Sequence, residues 1–202
     1  MDRIAVDIVL LPPVEIIDLS IELNRILIKN NPPKIELNKE NCIPHISLSM
    51  GVLKDTDKKR FMEELYAISE KHNPLQLRTT GIYTVEIPNS EKVSGIAIEN
   101  SKELYALHTD VMKLSSNYLT NDATLDTVYS PPSVDEVTLQ FINKYPSKSA
   151  YENFNPHITL GIGELRDPEF DMEFTSSNMA LFHLGNYCTC RKKLFDIVFP
   201  AK

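Results

Sequence analysis

No apolar stretch of this 202-residue chain approaches the roughly 20 residues that a membrane-spanning helix needs, so no membrane association is expected. The N-terminus, Met1-Asp2-Arg3-Ile4-Ala5-Val6-Asp7, is unlike a secretory leader, because an acid interrupts its apolar stretch and no cleavage pattern follows. A cytoplasmic protein is the expectation. Cysteine is scarce. Three residues, Cys42, Cys188 and Cys190, cannot form a full disulfide set, and the close pair at 188 and 190 lacks the second Cys or His pair of a zinc site. They read as ordinary buried or half-buried thiols. Positive charge is scarce as well: 21 Lys and Arg stand against 28 Asp and Glu, a net charge of −7. Proteins that track a long phosphate backbone usually carry a basic surface. No long duplex partner is expected here, and any nucleic-acid-derived substrate should be a small nucleotide or short oligonucleotide.

What the chain does have is a repeat. Asn41-Cys42-Ile43-Pro44-His45-Ile46-Ser47-Leu48-Ser49-Met50-Gly51 returns as Asn153-Phe154-Asn155-Pro156-His157-Ile158-Thr159-Leu160-Gly161-Ile162-Gly163. Asn, Pro, His, Ile, Leu and the closing Gly are identical, and Ser47 corresponds to Thr159. The copies lie too far apart for a solenoid repeat and suit two similar lobes. Each reads as a strand, since Ile, Thr and Leu favour pleated backbone and Pro and Gly bracket the run. Side chains alternate across a strand, so His45 shares a face with Ser47, and His157 with Thr159, while Ile46, Leu48, Ile158 and Leu160 point the other way.

Around the motifs the periodicities predict strands over 3–11, 75–87 (bent near Gly81), 92–99, 179–187 and 192–199, and helices over 13–29, 55–72 and from Ser101 onward. Asp55 or Thr56 is the expected cap of the second helix, and Ser101 that of the third. Residues 120–151 break the parallel between the halves; they hold Ser130-Pro131-Pro132 and a short helix expected over 133–143. A polar loop is expected around Asp167-Pro168. No linker is visible, so the chain reads as a single domain, 1–202, with pseudo-repeat halves of roughly 1–90 and 91–202. The expected class is α+β: a bilobal, internally duplicated fold, two mainly antiparallel sheets flanking a central cleft with helices outside. A monomer is the default.

A single strand histidine after a proline is more often structural than catalytic. Two in matching context weigh differently. His72, His108 and His183 repeat nothing and read as structural or solvated. Near neutral pH one imidazole can accept a proton and a second can donate one. The hydroxyls two residues along can donate to nonbridging phosphate oxygens and stabilise charge there. Two such pairs bracketing a phosphodiester suit an in-line displacement. The scheme calls for no metal, and neither Pro-His-Ile-Ser/Thr-Leu segment carries the Asp, Glu or Cys ligands that a hydrolytic metal centre adds.

The two copies, Pro44-His45-Ile46-Ser47-Leu48 and Pro156-His157-Ile158-Thr159-Leu160, resemble the paired His-x-Ser/Thr motifs of the 2H phosphoesterase superfamily, which includes 2′-5′ RNA ligase-like proteins and cyclic nucleotide phosphodiesterases. The resemblance implies a bilobal, internally duplicated α+β fold and metal-independent cleavage, without cofactor, of 2′,3′-cyclic phosphates, related cyclic phosphates or 2′-5′ linkages, with RNA processing among the settings. It implies His45 and His157 as the acid–base pair and Ser47 and Thr159 as phosphate binders. Residues 120–151 depart from the simplest pattern and can form a lid or a substrate-selecting wall. Lys148 and Tyr151 are further candidates for phosphate or base contact, with a solvated charge as the plainer reading of Lys148. Phe154 suits core packing at least as well. Arg191, sharing a strand face with Lys193, is a weaker candidate for phosphate. The rival readings are a binding module that holds nucleotides or ADP-ribose derivatives without turnover, and a scaffold whose repeats serve packing alone.

Overall fold

The computed structural model describes residues 2–29, 33–129, 134–165 and 171–200. Strand β1 (Arg3–Leu11) leads into helix α1 (Val14–Ile28), and a loop then delivers β2 (Ile46–Lys54). Helix α2 (Lys58–Ser69) is followed by the hairpin of β3 (Leu75–Glu86) and β4 (Lys92–Ile98). Helix α3 (Lys102–Tyr118), the two-residue β5 (Leu119–Thr120) and helix α4 (Glu136–Lys148) come next. The chain ends in β6 (His157–Ile162), β7 (Glu173–Ser176), β8 (Asn178–Leu184) and β9 (Cys190–Val198).

Every strand pairing is antiparallel, and the strands form one hydrogen-bonded path, β7–β3–β4–β6–β2–β1–β8–β9, with β5 alongside β2. The expectation of two separate sheets is therefore corrected to one. The join is slight: β2 and β6 share a single residue pair, Ile46 opposite Ile158. On either side of it the motif strands run next to β1 and β4, and each of those ladders slips register once, between Ile8 and Val9 and between Ser94 and Gly95. The strand grouping does not follow chain order. β3 bonds to β4 and β7, and β8 and β9 extend the sheet beyond β1, because a short turn makes β3 and β4 a hairpin and keeps them on one side.

The apolar motif residues are core, as the alternation requires: Ile46, Leu48, Ile158 and Leu160 are fully buried. Helices cover them crosswise. α1, which follows β1, packs on β6, and α3, which follows β4, packs on β2. Asn24 of α1 is buried and donates Nδ2–H to the carbonyls of Leu160 (2.7 Å) and Ile35 (3.0 Å), while its Oδ1 accepts from Leu37 N–H. A Cβ at Gly161 would sit 2.9 Å from that amide nitrogen, and φ there is +150°, so this motif position requires glycine. His108 of α3 holds Leu48 in the corresponding way.

Ser101 caps α3 as expected, accepting from Leu104 N–H. Helix α2 differs. A 3-10 turn over Asp55–Asp57 precedes it, and no side chain caps its start. Helix α4 runs from Glu136 to Lys148 instead of stopping near 143, with Pro146 in its last turn. Residues 130–133 and 166–170, which include Ser130-Pro131-Pro132, the expected helix start at Ser133 and the Asp167-Pro168 loop, lie outside the described residues. Among the described residues no helix is long and apolar enough to cross a membrane.

Candidate active site

β2 begins one residue after His45 and β6 begins at His157, so both imidazoles stand at strand entries, where side chains leave the sheet toward its open face. His45, Ser47, His157 and Thr159 line one cavity of about 330 Å³. Each ring is fixed in the same manner. Nδ1 of His45 lies 2.7 Å from the carbonyl oxygen of Ile43, and Nδ1 of His157 lies 2.8 Å from that of Asn155, two residues back in each case. A carbonyl only accepts, so each neutral ring carries its proton on Nδ1 and keeps the Nε2 lone pair free. Burial pushes His45 down to about 4, opposed by the Ile43 carbonyl and reinforced by the charge of a protonated His157. Burial also lowers His157, against the Asn155 carbonyl. Near neutral pH both imidazoles are unprotonated bases in the free protein.

The hydroxyls are backed differently in the two halves. Ser47 Oγ lies 2.7 Å from Oδ2 of Asp7, a fully buried carboxyl on β1 whose Oδ2 is also 3.7 Å from His45 Nε2. Burial holds Asp7 well above the usual carboxylate range, partly offset by the Ser47 hydrogen bond. Thr159 bonds the hydroxyl of Tyr83 on β3 instead. The Tyr83 ring meets His157 edge-on, centroids 5.3 Å apart, and lies where a Cβ at Gly95 would collide with it at 2.6 Å. Burial raises the Tyr83 phenol, opposed by Thr159. A carboxyl thus stands behind one half-site and a phenol behind the other. Neither was singled out in the sequence. Asp7, an acid within a strand of otherwise buried apolar residues, was the available signal; Tyr83 had none.

The other expected site residues divide. Lys148 lines the cavity from the end of α4, as do Phe141 and Tyr145, so part of the 120–151 segment does form a wall. Phe154 lines it too, stacked on His108 with centroids 3.7 Å apart. Tyr151 lies outside the lining; its backbone N–H bonds His108 Nε2 and its ring meets the edge of the same imidazole. Arg191 is also outside, beside Cys42 and packed on Gly185. Beside α4, where Thr138 Oγ1 accepts its backbone N–H at 2.8 Å, Tyr187 also lines the cavity. Its hydroxyl bonds Lys34 and Glu91, which pair with each other at 2.6 Å. His72 pairs with Asp110 and His183 bonds the Thr127 carbonyl, both structural as expected. Among the described residues one set of donors is grouped as a metal site would be: Asp7, His45 and Cys190.

A single antiparallel sheet with helices packed on it and two anchored His-x-Ser/Thr pairs facing one cavity gives the chain an α+β, LigT-like fold. The structure is similar over nearly its whole length to TT0787 of Thermus thermophilus, with TM-score 0.63 and 14% identity over 97% of this chain and 98% of that one. It is similar to E. coli LigT complexed with NADP+, with TM-score 0.56 and 14% identity over 98% of both chains. A structure described only as a phosphoesterase also matches, with TM-score 0.56 and 12% identity over 98% and 99%. No family model and no curated protein matches the sequence.

Proposed function

We propose that the protein is a phosphoesterase acting on a small nucleotide phosphodiester, a 2′,3′-cyclic phosphate, a related cyclic phosphate or a 2′-5′ linkage, by two-histidine acid–base catalysis. The observation that carries this reading is the matched anchoring of His45 and His157 through Nδ1, which leaves two Nε2 atoms to serve one cavity. Likeness in fold to LigT, which has been seen complexed with phosphate, ATP, NADP+ and 3′-AMP, supports a nucleotide-sized ligand.

In this scheme the phosphodiester sits between the rings. One Nε2 removes the proton of the attacking water or hydroxyl. The other, protonated because an anion beside it favours the imidazolium, gives its proton to the departing oxygen. Thr159 and Ser47 donate to the nonbridging oxygens, where negative charge grows. Ser47 can do so when Asp7 carries a proton on Oδ2 and donates it to Ser47 Oγ, a state that burial of the carboxyl favours. The residues from α4 face the nucleoside side of the cavity. No step calls for a metal.

The test is turnover of 2′,3′-cyclic nucleotides, 2′-5′ oligoadenylates and cyclic oligonucleotides by purified protein with chelator present. Cleavage that disappears in His45→Ala and in His157→Ala is expected. Binding of these compounds without turnover would replace the enzyme with a binding module. Loss of turnover on adding chelator would overturn the metal-free scheme.

A further inference from the structure

We infer that Asp7, His45 and Cys190 form a binding site for one thiophilic divalent cation of the zinc class, and that the bound cation switches the catalytic centre off. The three residues come from the middle of β1, the approach to β2 and the first position of β9. Their donor atoms, a carboxylate oxygen, an imidazole nitrogen and a thiol sulfur, all lie within 4.8 Å of one another. Tetrahedral zinc with bonds of about 2.0–2.3 Å places its ligand atoms roughly 3.3–3.8 Å apart. His45 Nε2 and Asp7 Oδ2 already stand at 3.7 Å. Side-chain movement of about an ångström or less brings the remaining separations into that range.

Further observations point to a cation rather than to packing alone. Asp7 Oδ1 is buried and has no hydrogen-bond partner, a costly state for a polar atom that a metal would relieve. His45 is already oriented as a metal ligand: the Ile43 carbonyl takes its Nδ1 proton and leaves Nε2 as the electron-pair donor. Ser47 orients the carboxyl by donating to its Oδ2, leaving Oδ1 as the oxygen without a partner. Soft donors also gather here. The chain has only three cysteines, all buried and unpaired. Cys188 lies close enough to Asp7, and Cys190 close enough to Asp7, Cys42 and Cys188, for their charges to interact. Cys42 and Cys188 line the cavity beside His45, which gives a thiophilic ion a route to the site. Carboxylate and thiolate together neutralise a divalent charge.

A cation held there occupies the Nε2 lone pair of His45, so substrate turnover and metal binding exclude each other. The inhibition rests on the acid–base role proposed for His45; the binding does not. Cobalt(II) titrated into the reduced full-length protein, without substrate, reads the binding alone. One equivalent should bring up a thiolate-to-cobalt charge-transfer band with the visible bands of a tetrahedral site, and zinc should bleach both. Cys190→Ser should lose the charge-transfer band and weaken binding more than about a hundredfold, beyond the roughly 10–100-fold that changes behind a ligand cost. In chelator it should turn over substrate like the parent protein, and it should resist zinc. Cys42→Ser and Cys188→Ser should keep the band, which decides the matter even if Cys190→Ser misfolds. Absence of a thiolate band in the parent protein, or a band that survives Cys190→Ser, would overturn the site. A band that forms while zinc leaves turnover untouched would uphold the site and remove His45 from catalysis.

Discussion

His108 donates from Nδ1 to the carbonyl oxygen of Leu48, 2.9 Å away, and accepts the backbone N–H of Tyr151 at Nε2 at the same distance. The two bonds fix the ring as the neutral Nδ1–H form and join α3 to one motif strand and to the entry of the other. It is the counterpart of Asn24, which reaches Leu160. His108→Ala would leave a buried carbonyl and a buried N–H without partners, at about 1–3 kcal/mol each, and would remove the ring stacked on Phe154. A stability loss of that size is expected in urea unfolding, with turnover falling less than in the motif histidine variants.

His45→Ala and His157→Ala should behave in the opposite way. Both rings border the cavity and neither belongs to the apolar core. Loss of an acid or base group lowers kcat by about 10²–10⁴-fold. The expectation is two folded proteins with thermal transitions near that of the parent and almost no turnover. A cooperative stability loss matching that of His108→Ala would instead assign the repeats to packing.

Acid should destabilise the protein in a defined window. Burial pushes His108 down to about 4, against the Leu48 carbonyl bond, and lowers His183 in the same direction. In the unfolded chain these rings take up a proton near 6.5. Above that pH neither state is protonated and their contribution to stability is complete. As pH falls from about 6.5 toward 4 the unfolded chain binds protons that the folded one refuses, so stability declines, and it levels off below the folded value. Unfolding free energies measured across pH 4–7 check this, and His108→Gln should flatten the decline.

Among the described residues lining the cavity, Lys148 is the one Lys or Arg, and it is exposed. An exposed cation attracts an anionic substrate before and during the reaction alike, so its contribution falls on binding. Lys148→Ala should raise KM severalfold with little change in kcat, and the KM of the variant should respond less to added salt.

The motif strands, their inward isoleucines and leucines and the cap at Ser101 were all legible, because each is a local pattern with a local cause. The chemistry behind the hydroxyls was not. Asp7 reaches Ser47 from a neighbouring strand, Tyr83 reaches Thr159 across the β3–β4 hairpin, and Cys190 arrives from the far end of the chain. Such meetings are fixed by register between distant strands, which periodicity does not encode. For the same reason the single sheet was missed, since its continuity depends on the pairing of Ile46 with Ile158. Tyr151 was a candidate by nearness in sequence and Arg191 by the strand face it shares with Lys193, yet the turn at Tyr151, with φ of 54°, gives its backbone to His108, and Arg191 lies beside Cys42.

That lone backbone pair has a mechanical consequence. A ladder several bonds long would hold its two flanks at a fixed spacing; one pair acts as a pivot. α1 packs on β6 and α3 on β2, so each helix backs one motif strand on its own side of that pair. Leu27 presses on Gly161 and Gly163 from one side, and Leu107 is buried on the other. Adding or removing single methyl groups there would act as a calliper screw, resizing the substrate the protein can grip while every group that meets the phosphate stays as it is.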